Sequence, residues 1–126
     1  MILPVLTIAE SPNRGRGVFA MEPIPANTTI EIAPVIVLNA EERAKVEATQ
    51  LYNYIFEWGE DYRSAAVALG YVSIYNHSKL ANCKYEMDFD FQTIAIITLQ
   101  AIAIGEELCI NYNGEGGADP DWFNIY

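Results

Sequence analysis

Short β-prone runs, each cut off by glycine, proline or asparagine, follow one another along nearly the whole chain. Val5 to Ala9, Thr28 to Val37, Cys83 to Met87, Phe91 to Thr98 and Leu108 to Tyr112 each read as a strand. Runs this short, spaced by turn residues, suit small sheets with non-local pairing and little helix. Pro34 removes a ladder donor from the second run, so an edge or a bulge is expected there. Asp88-Phe89-Asp90 reads as the turn of a hairpin.

Three stretches carry other signals. Asn39 has the look of a helix N-cap, with Glu42 as its capping-box partner and a helix running to about Gln50. Leu51 to Trp58 alternates Tyr52, Tyr54, Phe56 and Trp58 at period two, which predicts a strand with four rings on one face. Ser64 to Leu69 is alanine-rich and predicts a short helix closed by Gly70, with Tyr71 to Tyr75 extended after it. The connectors Ala20 to Asn27 and Ala101 to Gly105 resemble one another, but two similar connectors do not make a repeat array.

Length and charge narrow the function. The 126 residues suit one domain, 1–126, burying about two-thirds of its unfolded surface without staples. The 52% hydrophobic content is rich for a monomer and consistent with a covered partner surface. Seventeen acidic residues against seven basic ones give a net charge of −10, which repels phosphate backbones and attracts a basic partner. Cys83, Cys109 and His77 are too few for a four-ligand zinc site, and no metal is expected. The cysteine spacing does not demand a disulfide, and two reduced thiols are the plainer reading. The opening Met1 to Leu6 is apolar but lacks the basic flank of a signal peptide, and no run reaches membrane-spanning length, so a soluble intracellular protein is expected.

Four pieces could carry chemistry. Arg14-Gly15-Arg16-Gly17 allows a tight turn and close backbone approach to a ligand, yet no helix follows to make it a dinucleotide loop. Asn76-His77-Ser78 holds the single histidine, with no second group to build a nucleophilic triad. Gly105-Glu106-Glu107-Leu108 is a turn leading into a strand that ends at Tyr112. The fourth piece is the aromatic run around Tyr54 with the tail rings Trp122 and Phe123. Taken singly, each is as well explained by a turn, a hydrogen-bonded histidine or a packed strand-end tyrosine.

In this order and at these separations the pieces resemble the SET-domain lysine methyltransferases. The likeness runs from Arg14 to Ala20 through Leu69-Gly70, Asn76-His77-Ser78 and Asn82 to Gly105-Glu106-Glu107-Leu108 and Tyr112, covering roughly residues 5 to 123. It is strongest to the small viral SET proteins, which lack zinc modules and pair as homodimers. The resemblance implies a mainly β fold with short helices, a β-clip of small sheets with a threaded C-terminal pseudoknot. It implies S-adenosylmethionine as cofactor, held by Arg14, Gly15, Arg16, Asn76 and His77. It makes Tyr112 the catalytic tyrosine and places Tyr54, Tyr75, Ile110, Trp122 and Phe123 along the substrate channel. The implied substrate is a lysine of a basic, histone-like protein.

Two departures matter. Lys79 stands where many relatives carry a zinc-binding cysteine, so Trp122 or Phe123 must close the site. Ile110 stands two positions before Tyr112, where the family often has an aromatic hydroxyl that limits the number of methyl groups added. A fold that binds cofactor or peptide without turnover, and a purely structural β domain, are the alternatives. They would be told apart by cofactor affinity without methyl transfer, and by no cofactor affinity at all.

Overall fold

The computed structural model describes residues 1–59 and 61–113. Nine strands make up most of the regular secondary structure among these residues: β1 (Leu6–Ser11), β2 (Gly15–Ala20), β3 (Thr29–Leu38), β4 (Ile55–Trp58), β5 (Ser64–Ala68), β6 (Asn76–His77), β7 (Cys83–Asp88), β8 (Thr93–Thr98) and β9 (Glu107–Ile110). They form one sheet in the order β1-β2-β9-β6 and a second in the order β4-β5-β3-β8-β7. A single helix, α1 (Ala40–Glu47), and two 3₁₀ turns, Gln50–Tyr54 and Val72–Ile74, complete the described elements. The mainly β expectation therefore holds. Of the expected crossing, the described part is β6, which runs parallel to β9 with Asn76 opposite Cys109 and His77 opposite Ile110. The tail lies outside the described residues.

β3 organises the larger sheet because it changes partner along its length. Its first half pairs with β8 and its second half, Val35 to Leu38, with β5. Pro34 sits at the changeover, where its missing N–H interrupts no ladder and its carbonyl still accepts the Leu69 N–H at 3.0 Å. The bulge lies earlier than Pro34, between Thr29 and Glu31. One extra residue there turns Ile30 and Glu31 inward in succession, after which burial alternates through Ala33 and Val35. The core beneath combines Val18, Ile30, Val72, Ile94, Ile96, Leu108 and Ile110. The two similar connectors pair with each other: Ile24 and Ile102 exchange N–H···O bonds at 3.0 and 2.8 Å.

The helix begins as expected, with both capping-box bonds formed between Asn39 and Glu42. It ends at Glu47 and not near Gln50, because Thr49 caps a new 3₁₀ turn by accepting the Leu51 N–H. That turn also overturns the four-ring strand. Tyr52 and Tyr54 belong to it, and only Phe56 and Trp58 lie on β4.

Ser64 to Leu69 is likewise not a helix but β5, paired on one side with β4 and on the other with β3. Six residues cannot hold a helix on propensity alone. Two ladders satisfy the backbone, and small side chains let Ala65, Ala66 and Ala68 bury between neighbours. Tyr71 to Tyr75 is not extended, since Val72–Ile74 winds into a 3₁₀ turn after Gly70 reverses the chain at φ +70. No helix among the described residues is long and apolar enough to cross a membrane.

Candidate active site

Three distant stretches meet at one carboxylate. Glu107, the first residue of β9, accepts the Ser11 hydroxyl at 2.8 Å and Asn76 Nδ2 at 2.7 Å, and pairs with Arg14 Nη2 at 3.3 Å. Arg14 donates with Nη1 to the His77 carbonyl at 2.8 Å, and Asn76 Nδ2 donates also to the Arg16 carbonyl at 3.0 Å. Gly17 is what lets these groups close up, because a Cβ there would run into the Glu107 carboxylate. Gly15 turns the loop at φ +73 and leaves open space where a side chain would stand. The Arg14–Glu107 pair is partly exposed, so its value lies in geometry more than in Coulombic energy.

Asn82 fixes the same junction from behind. Its Oδ1 accepts the Cys109 N–H at 2.9 Å, while Nδ2 donates to the Glu107 carbonyl at 2.8 Å and to Glu106 Oε2 at 3.0 Å. His77 is buried, and its Nδ1 accepts the Tyr112 N–H at 3.0 Å. A ring nitrogen that accepts carries no proton, so this imidazole serves the backbone of Tyr112.

Tyr112 leads from the junction into an aromatic cleft of about 570 Å³, walled by Tyr52, Tyr54, Phe56, Tyr62, Tyr85, Met87 and Phe89. The Tyr112 ring stands edge-on to Phe56 at 6.5 Å and to His77 at 5.2 Å. Its hydroxyl donates to the Tyr75 carbonyl at 2.8 Å, and its own carbonyl accepts the Tyr85 hydroxyl at 3.0 Å. Burial pushes the Tyr85 phenol up, which keeps it a donor. Arg43, Glu47 and Glu57 also line the cleft. The Arg43 guanidinium ties α1 to the neighbouring chain through the Tyr62 and Ser64 carbonyls at 2.6 and 3.1 Å, and pairs with both carboxylates.

Arg14, Gly15, Arg16, Asn76 and His77 thus come together, and Tyr54 shares the cleft with Tyr112. Tyr75 and Ile110 are fully buried and do not line the cleft; Tyr75 offers Tyr112 its carbonyl, not its ring. Trp122 and Phe123 lie outside the described residues. Glu107 and Tyr85 were not singled out in the sequence. Tyr85 had a weak signal, since Cys83, Tyr85 and Met87 recur at period two along β7. Glu107 had none beyond its place in Gly105-Glu106-Glu107-Leu108. Cys83 and Cys109 are free and buried; burial lifts the Cys83 thiol to about 12 and raises Cys109 too, so neither is a ready nucleophile. No group of metal-ligating side chains occurs among the described residues.

A family model described as "SET domain" matches residues 15–113. The chain is 40% identical over 119 residues to a histone-lysine N-methyltransferase, H3 lysine-37 specific, from Schizosaccharomyces pombe, covering 94% of this chain and 76% of that one. The fold is similar to the crystal structure of a candidate histone methyltransferase from Plasmodium falciparum, with a TM-score of 0.72 and 26% identity over 96% of this chain and 99% of the other.

Proposed function

Because this chain belongs to the SET-domain family and is a protein-lysine methyltransferase, we propose that it methylates a lysine of a histone or similarly basic protein, with S-adenosylmethionine as donor. The observation that carries this reading is Tyr112, which joins the polar junction through its amide and the aromatic cleft through its ring, with its hydroxyl held by the Tyr75 carbonyl. When bound, S-adenosylmethionine supplies an electrophilic methyl group on a sulfonium. The chain's own groups fit such a molecule, whose amino-acid end needs a cation, amides and carbonyl acceptors. Arg14, Gly15 and Arg16 would hold it where Gly15 leaves open space, and Asn76 and His77 would hold it from β6.

The attacking lysine must lose its proton. At pH 7 that costs about 4–5 kcal/mol for an amine of pKa near 10.4. Rings from Tyr54, Phe56, Tyr85 and Tyr112 line the cleft, and a lysine laid among them would give up water around its amine, which disfavours the charged form. The hydroxyl proton of Tyr112 is committed to the Tyr75 carbonyl, so toward the amine its oxygen acts as an acceptor. It orients the amine without serving as a formal base. Glu47 and Glu57 stand beside Arg43, where carboxylates can attract a basic segment without stabilising ammonium at the reacting end.

With a net charge of −10 the partner is a basic protein and not nucleic acid. The reading extends to a homodimer, supported by the exposed apolar positions Ile32, Pro34 and Ile36 on the outer face of β3. Light scattering that gives one 14.1 kDa species at high concentration would count against the dimer.

The deciding assay incubates labelled S-adenosylmethionine with core histones and with other basic proteins. Label should appear on lysine, and Tyr112→Phe should all but remove it while cofactor binding persists. Cofactor binding with no transfer to any basic protein would favour a silent binding module.

A further inference from the structure

Glu31 is the carboxylate that the described residues bury completely, and it lines neither the junction nor the cleft. It is brought inward by the bulge near the start of β3. Both of its oxygens are engaged: Oε2 accepts the Tyr71 N–H at 2.7 Å and Oε1 accepts the Tyr75 hydroxyl at 2.9 Å. Tyr71 and Tyr75 flank the Val72–Ile74 turn, so one side chain grips both ends of it. Gly70 makes the room, since a Cβ there would collide with Glu31 Oε2.

A buried carboxylate is expensive, and burial here raises the Glu31 pKa above that of an ordinary glutamate. An apolar side chain of similar size would avoid that cost, so the grip is better explained by what it holds in place. The carbonyl of Tyr75 receives the Tyr112 hydroxyl at 2.8 Å. Burial and the neighbouring Glu31 push the Tyr75 phenol up, so Tyr75 stays the donor and the direction of the chain of bonds is fixed. The path therefore runs from Glu31 through the hydroxyl and backbone of Tyr75 to the hydroxyl of Tyr112.

We propose that Glu31 is a positioning residue for methyl transfer. By clamping Tyr71 and Tyr75 it aims the Tyr75 carbonyl, which sets the rotation of the Tyr112 hydroxyl and the face its oxygen turns to the reacting amine. The inference rests on the reading of Tyr112 as catalytic. A hydroxyl turns easily about its C–O bond, so an unanchored carbonyl would leave the oxygen poorly directed, and small misplacements at a reacting centre cost large factors in rate.

The test is a double-mutant cycle with purified full chain, a basic peptide and labelled S-adenosylmethionine. Glu31→Ala and Tyr75→Phe are each expected to lower kcat by about 10-fold, with peptide KM and cofactor affinity nearly unchanged. Glu31→Gln should recover part of that loss, because its amide oxygen can still accept the Tyr71 N–H and its NH₂ can reach the Tyr75 oxygen, with that bond reversed. In a Tyr112→Phe background no hydroxyl remains to be aimed, so Tyr75→Phe should add no further loss. The same fold-loss in both backgrounds, or a wild-type rate for Tyr75→Phe alone, would overturn the inference. Wild-type turnover by Tyr112→Phe itself would instead overturn the reading beneath it, and that single variant makes the two failures distinct. Melting curves accompany each variant. If Glu31→Ala does not fold, Tyr75→Phe, which keeps the packed ring, carries the comparison.

Discussion

The polar junction and the aromatic cleft meet at Tyr112 but are built on opposite principles. The junction is a hydrogen-bonded knot in which Ser11, Arg14, Asn76 and Glu107 leave little freedom of residue type. The cleft is a wall of rings from the 3₁₀ turn, β4, β7 and the end of β9, held by packing and tolerant of detail. The difference teaches that binding a polar cofactor and desolvating an amine make contrary demands. One end must present fixed dipoles, and the other must present ring faces, with its charged groups Arg43, Glu47 and Glu57 paired with one another.

The sharpest way to break this division is at the residue both halves share. Tyr112→Phe keeps the ring in the cleft and the amide bonded to His77, and should lower the methyl-transfer rate by about 10²-fold. Melting temperature and cofactor affinity should change little. Turnover near the wild-type rate would reduce Tyr112 to a packing residue.

Removing the hub of the junction comes next. Glu107→Ala strands Ser11, Arg14 and Asn76, and should cost about 1–3 kcal/mol of stability with a cofactor affinity roughly tenfold weaker. Gly17→Ala should act in the same direction by displacing the same carboxylate. Peptide KM measured at saturating cofactor should stay put in both, and a rise in KM equal to the loss of cofactor affinity would erase the distinction between the halves.

Within the cleft, Tyr85→Phe removes the bond to the Tyr112 carbonyl while keeping the ring. One net hydrogen bond is worth about 1 kcal/mol, so steady-state kinetics should show a loss of about fivefold in kcat with cofactor affinity intact. An effect on cofactor affinity larger than that on kcat would place Tyr85 with the junction.

The smallest effect concerns Glu31 and pH. Burial raises its pKa in the folded chain above the ordinary 4.5, so folding retains a proton that the unfolded chain has lost. The stability this group lends is present below the unfolded value and declines as pH rises through the folded one. Glutamine mimics the protonated form. The melting temperature of Glu31→Gln relative to wild type should therefore climb by a few degrees between acid and neutral pH. A constant difference across that range would mean that Glu31 does not titrate in the window.

The two halves also differed in how legible they were. Arg14 to Gly17, Asn76-His77 and Tyr112 stood out because glycine turns and chemically committed side chains sit at recognisable intervals. Glu107 did not, since nothing local says which of two adjacent glutamates faces Arg14. Tyr75 and Ile110 were expected along the channel and proved buried, because proximity in sequence to a site residue does not say which way a side chain points. The alanine-rich Ser64 to Leu69 misled for a related reason: its helical propensity was outweighed by pairing on both edges, with the adjacent β4 and with the distant β3.

By itself, the sequence determined the many short strands, the turns at Gly15 and Gly105, the capped start of α1, and the ordered residues that mark the family. Those are local or positional properties, written in backbone freedom, alternation and chemical identity. Only the tertiary structure decided that Ser64–Ala68 is a strand, that one carboxylate joins three motifs, that Tyr52, Tyr85 and Phe89 share a cavity, and that Glu31 is buried beneath Tyr75. Each of these depends on partners outside the segment itself or on a side chain's direction. Such contacts form only when separate strands compete for the same backbone partners and the same core.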